Sequence, residues 1–162
     1  MKYRGLIFTF SLTSILNLMP SASGWEIASQ GENAIGDRQF IAFEEDILNL
    51  GTFNNLGIAC TESLFEIKIA SEERFTSSRK ARIRYDSKRP TTWSMKLGPT
   101  DNIGLLQAVE FQNAKVIYRN LLSSKTFVVQ LTTQNGGLYS MKFNVANTLK
   151  LSAGLRAAGC KI

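Results

Sequence analysis

Apolar and polar side chains alternate through most of this chain, and residues 55–70 show the pattern most clearly. Leu56, Ile58 and Cys60 alternate with small residues, and Phe65, Ile67 and Ile69 alternate with Glu66 and Lys68. Period-two patterning on both sides of Thr61-Glu62-Ser63 predicts a β-hairpin. The same reading predicts short strands at residues 25–28 and 39–43. The first is followed by a polar loop over 31–37, and the second is ended by the acidic run Glu44-Glu45-Asp46. Residues 47–53 fit either an extended segment or one helical turn. In residues 79–86, alternation puts Ala81, Ile83 and Tyr85 on one face and Lys80, Arg82 and Arg84 on the other. Residues 92–97 form another strand, with Trp93, Met95 and Leu97 in phase. Residues 98–102, Gly-Pro-Thr-Asp-Asn, make a turn cluster.

The spacing then changes. After an extended start at 103–108, Phe111, Ala114, Val116, Ile117, Leu121 and Leu122 fit a helical stripe over 110–122. Two β-rich runs, 126–132 and 138–145, flank Gln134-Asn135-Gly136-Gly137, where Asn-Gly favours a type I′ hairpin turn. Asn147 is placed to cap a last helix carrying Leu149, Leu151, Ala153, Leu155 and Ala158, ended by Gly159 just before Cys160. Mostly strands with two helices imply an α+β domain dominated by antiparallel sheet: a sandwich or curled sheet, with a mid-chain helix and a short C-terminal helix packed on one side.

The chain has 162 residues, enough for one domain with a real core. Its first residues read as a signal peptide. Lys2 and Arg4 precede an apolar stretch over 5–19, Pro20 breaks it, and Ser21-Ala22-Ser23 supplies small residues for cleavage. The expected organisation is a leader over 1–23 and a single domain over 24–162. A membrane anchor is the rival reading, but the run is short and diluted by Thr9, Ser11, Thr13, Ser14 and Asn17. Export to the periplasm or beyond suits the two cysteines, which can pair as Cys60–Cys160 in an oxidising compartment. Two buried free thiols are the alternative. The chain holds 19 basic and 13 acidic residues, and without Lys2 and Arg4 the balance is 17 to 13. That favours acidic partners such as an envelope protein, a cell-wall polymer or a lipid surface, and is too mild to argue nucleic acid.

The chain contains no histidine, which removes the commonest general base and the Ser-His and Cys-His pairs. Neither a phosphate-binding glycine loop nor a zinc spacing is present, and no cofactor is expected. Glu44, Glu45, Asp46, Glu66, Asp86 and Asp101 are the acids open to carboxylate-only catalysis, but none sits in a motif. The run Glu44-Glu45-Asp46 reads as a solvated loop. The domain is therefore read as non-catalytic. Its best candidate surface is the row Lys80, Arg82, Arg84, extended in sequence by Lys88 and Arg89, which could grip an anionic partner. The commoner fate of such a row is a solvent face neutralised from a neighbouring strand, here by Glu66 and Glu62. Trp93 is expected in the core and Trp25 at a packed edge.

Taken in order, several features resemble a known family. Trp25 follows the leader, Leu-Gly-Ile-Ala-Cys runs into Cys60, and Phe-Glu-Ile-Lys-Ile and Arg-Ile-Arg-Tyr-Asp come next. Trp93, a helix, a hairpin, Met-Lys-Phe-Asn-Val, a last helix and Cys160 complete the series. This resembles the small exported proteins associated with type VI secretion, the VasI-like family, over residues 58–160. The chain departs from members that carry further cysteines near the mature N-terminus. The resemblance implies a periplasmic accessory protein without known catalysis, engaging an envelope or secretion-system protein. A second function fits the same features: an inhibitor or immunity protein that blocks an exported enzyme such as a peptidoglycan hydrolase. It would present the loop at 98–102 or the Asn135-Gly136 tip to the enzyme's cleft.

Overall fold

The computed structural model describes residues 24–32, 36–49, 51–76, 80–100 and 106–162, with only the backbone for Pro99 and Thr100. The expected leader and Asp101 lie outside the described residues. Among the described residues nine strands form in order: β1 (Glu26–Glu32), β2 (Arg38–Glu45), β3 (Asn54–Thr61), β4 (Phe65–Ser71), β5 (Lys80–Tyr85), β6 (Thr91–Thr100), β7 (Gln107–Phe111), β8 (Thr126–Thr132) and β9 (Leu138–Asn144). Helix α1 (Ala114–Leu122) joins β7 to β8. A 3₁₀ turn (Thr148–Leu151) leads into α2 (Ser152–Ala157).

All neighbouring strands pair antiparallel in one continuous sheet of order β1-β2-β3-β4-β7-β6-β5-β8-β9. The first four strands make consecutive hairpins. The chain then leaves the ladder, and β5, β6 and β7 return to it so that β7 closes onto β4. Two isolated bridges, Asp46 to Phe143 and Phe75 to Thr133, join segments far apart in this order, so the sheet curls back on itself. The expected antiparallel α+β domain is therefore present, as one curled ladder.

Alternation sorts the two faces as expected. Phe40, Ala42, Leu56, Ile58, Ile67, Ile69, Ile83, Met95, Val109, Phe127, Val129, Met141 and Phe143 point inward and are buried. Phe127 lies near the middle of this core, with ring centroids 5.2 Å from Tyr85, 6.3 Å from Phe111 and 6.4 Å from Phe143. Trp93 is partly buried against the core in phase with Met95, and Trp25 packs at its margin with Nε1 donating to Thr148 Oγ1 at 3.0 Å.

The helices pack on the β2–β4 part of the sheet. Tyr118 of α1 meets Phe65 edge-on at 5.6 Å, and its hydroxyl lies 2.9 Å from Ser152 Oγ of α2. Gly154 lets α2 sit on β2, because a Cβ there would overlap the Phe40 ring. The last helix ends in a Schellman turn. Gly159 adopts φ +82°, its N–H donates to Arg156, and the Cys160 N–H donates to Leu155. That turn delivers Cys160 to β3, where it pairs with Cys60 at a Cα separation of 6.1 Å. The expected disulfide is formed.

Several local expectations differ. Helix α1 begins at Ala114, four residues late, because Phe111 belongs to β7 and pairs with Met95. Asn113 at φ 59° turns the chain between them. The buried stripe is Ala114, Ile117, Tyr118 and Leu121, while Val116 and Leu122 face solvent. Gly98, Pro99 and Thr100 lie inside β6 rather than in a turn, across an irregular register with β7. The β8–β9 turn is not type I′. Asn135 keeps an ordinary φ, and Gly136 alone takes the left-handed one, at +81°. Its N–H donates to Thr133, while Thr133 N–H reaches Gly137. This is a type I turn closed by a glycine bulge. Asn147 makes no side-chain cap, and the chain enters α2 through the 3₁₀ turn, leaving Leu149 exposed.

Candidate functional site: a basic sheet face

Strand β5 buries Ala81, Ile83 and Tyr85, which leaves Lys80, Arg82 and Arg84 exposed on the outer face. Its neighbours are β6 and β8. Arg82 stands opposite Thr92 on one side and Gln130 on the other, and Lys80 stands opposite Ser94. Beyond β8, Gln130 faces Ser140 and Val128 faces Lys142. Arg82 Nη1 comes within 3.5 Å of Gln130 Oε1, whose Nε2 donates to Ser140 Oγ at 3.1 Å. No Asp or Glu occurs anywhere in β5, β6, β8 or β9.

The expected neutralisation by Glu66 and Glu62 does not occur, because strand order places both elsewhere. Glu66 is on β4, where it bridges Lys68 at 2.6 Å. Lys68 and Lys96 also bridge Glu110 of β7, at 3.4 and 3.0 Å. Those acids and cations satisfy one another across β4, β7 and β6. Glu62 lies in the β3–β4 turn against Gly159. Among the described residues, no carboxylate lies in salt-bridge range of Lys80, Arg82 or Arg84. Lys88 and Arg89 are exposed in the turn at the end of β5.

The candidate acids are dispersed. Asp86, at φ 51°, accepts the backbone N–H groups of Thr126 at 2.8 Å and Lys125 at 2.9 Å. The Thr126 N–H, foremost, holds its carboxyl below the ordinary range, as an anion pinning the start of β8. The solvated loop expected at Glu44-Glu45-Asp46 is not found. Glu45 is exposed, but Glu44 on β2 and Asp46 just after it are buried. Asp46 accepts from the backbone of Leu48 and Lys142 and from the side chains of Asn49 and Asn54. Asn54 in turn reaches Thr52, Ser71 and Tyr139. Four donors on one carboxylate make a structural clasp rather than a free base. Among the described residues, no three Cys, Asp or Glu side chains converge to hold a metal ion.

Sequence reasoning did not find Lys142 or the aliphatic side chains beside it as part of this face. Alternation through Leu138-Tyr139-Ser140-Met141-Lys142 marks Lys142 as outward, but nothing local says that β9 lies two strands from β5. Comparison of the chain with protein-family models, curated proteins and solved structures gave no significant match.

Proposed function

We propose that this is an exported, non-catalytic binding module that engages an anionic component of the cell envelope through the outer face of β5, β8 and β9. One observation carries the reading: three aligned, exposed cations on an interior strand of the sheet, with no carboxylate bridging them among the described residues. Cations held at fixed spacing on a rigid ladder recognise phosphate or carboxylate with little ordering cost. Export is supported by the disulfide, and among the described residues no helix is long and apolar enough to cross a membrane. The resemblance to VasI-like exported proteins supports an accessory role in the periplasm. Mild crosslinking of the tagged protein in its native envelope, followed by mass spectrometry of the lipids and proteins recovered with it, tests this. The double reversal Arg82→Glu/Arg84→Glu should cut partner recovery by about tenfold or more while leaving the melting temperature unchanged. Equal recovery from both proteins would overturn the assignment of this face.

A further inference from the structure

Resting on the reading of this face as anion-binding, we infer that its partner is the bilayer itself: the β5–β8–β9 face docks peripherally on an anionic phospholipid surface. Leu138, Leu48 and Ile47, near one strand edge, are exposed by 67%, 54% and 41%. Leu138 shares its face with Ser140 and Lys142 by strand alternation. Residues 46–49 run along the outer edge of β9 and cover it, with Ile47 N–H donating to Lys142 O at 2.8 Å and Asn49 Nδ2 to Ser140 O at 2.9 Å. The aliphatic side chains therefore rim the sheet half that carries Lys80, Arg82, Arg84 and Lys142.

Strands β5, β6, β8 and β9 carry no Asp or Glu, and the carboxylates at their margin, Asp86 and Asp46, are held by backbone N–H groups, so the face of the ladder itself sets cations alone against a sheet of phosphates. A broad planar array of headgroups suits a face whose cations spread over two strands, β5 and β9, with β8 between them. Aliphatic residues at its margin add a part of the binding that salt does not screen, by entering the headgroup–acyl boundary. The Asp46 clasp holds residues 46–49 in place, so Ile47 and Leu48 are presented without an ordering cost.

The test uses protein expressed from the full sequence in an oxidising host, with the disulfide confirmed by mass. Flotation is compared on phosphatidylcholine vesicles with and without phosphatidylglycerol, and retention is measured on immobilised polyglutamate as a soluble-polyanion probe. We expect binding only to vesicles containing phosphatidylglycerol. Arg82→Glu/Arg84→Glu should lose it by at least about tenfold. Leu48→Ser/Leu138→Ser should lose vesicle binding several-fold and keep its polyglutamate retention. Arg82→Gln/Arg84→Gln, with an unchanged circular dichroism spectrum, covers the case in which the reversal disturbs folding. Arginine-dependent retention on polyglutamate without vesicle binding would overturn the lipid inference and leave the anion-binding face standing. So would vesicle binding that ignores Leu48 and Leu138. Binding to neither probe would overturn both.

Discussion

Glu44 faces the core from β2, opposite Leu56 of β3, and its Oε2 has no hydrogen-bond partner among the described residues. Burial pushes its carboxyl up from an ordinary 4.5 to about 7, and the neighbouring Glu45 charge adds to this. In the unfolded chain the group ionises near its ordinary value, while the folded protein keeps the proton up to about 7. Between those two pH values the folded state binds more protons, so stability falls as pH rises through the window and is level above it. Glu44→Gln should remove the fall. Relative to the parent, the variant should gain up to about 3 kcal/mol between pH 4.5 and pH 8, read from urea unfolding at both. Parallel pH dependences would show that Glu44 does not titrate in this way. In sequence, Glu44 looks like its neighbour Glu45. Strand phase separates them, and β2 continues two residues beyond where the hydrophobic pattern stops.

At the level of elements, β9 shows how a strand edge is protected without another strand. Asp46 accepts the Lys142 N–H, Ile47 donates to the Lys142 carbonyl, and Asn49 donates to the Ser140 carbonyl. The segment after β2 thus occupies edge groups that would otherwise template pairing with another chain. Asp46→Ala should cost about 2 kcal/mol, because it strands part-buried and buried donors on three segments. Amide exchange at Lys142 should accelerate with it. A variant of parental stability with unchanged exchange would show that the clasp contributes nothing. The elements themselves were largely readable: β3, β4, β5 and the β8–β9 pair follow the alternation, and Gly159 ends the last helix. Boundaries failed where one residue suits two elements. Phe111 fits both the helical stripe and the inward face of β7, and Tyr118 joined the buried stripe through a polar tip satisfied by Ser152.

For the molecule as a whole, the disulfide closes a loop spanning 100 residues and fastens the last helical segment to β3. Loop-closure entropy puts its worth at up to about 4–5 kcal/mol. Excess reductant should lower the melting temperature markedly, and an unchanged value with reduction confirmed by mass would refute the stabilising role. Several things were legible in the sequence alone: most of the inward-facing strand residues, where most strands run, and that Cys60 and Cys160 can pair. These rest on period-two alternation, glycine stereochemistry and the count of two cysteines, all local or countable properties. Strand order was decided only in three dimensions. Backbone hydrogen bonds are the same for any two strands, so nothing in β5 states that its neighbours are β6 and β8 rather than β4. That order carried Glu66 away from the arginines to Lys68 and set Lys142 and the exposed aliphatic residues on the same half of the sheet as the basic row. The cationic face is a property of the ladder, assembled from strands that are distant in sequence.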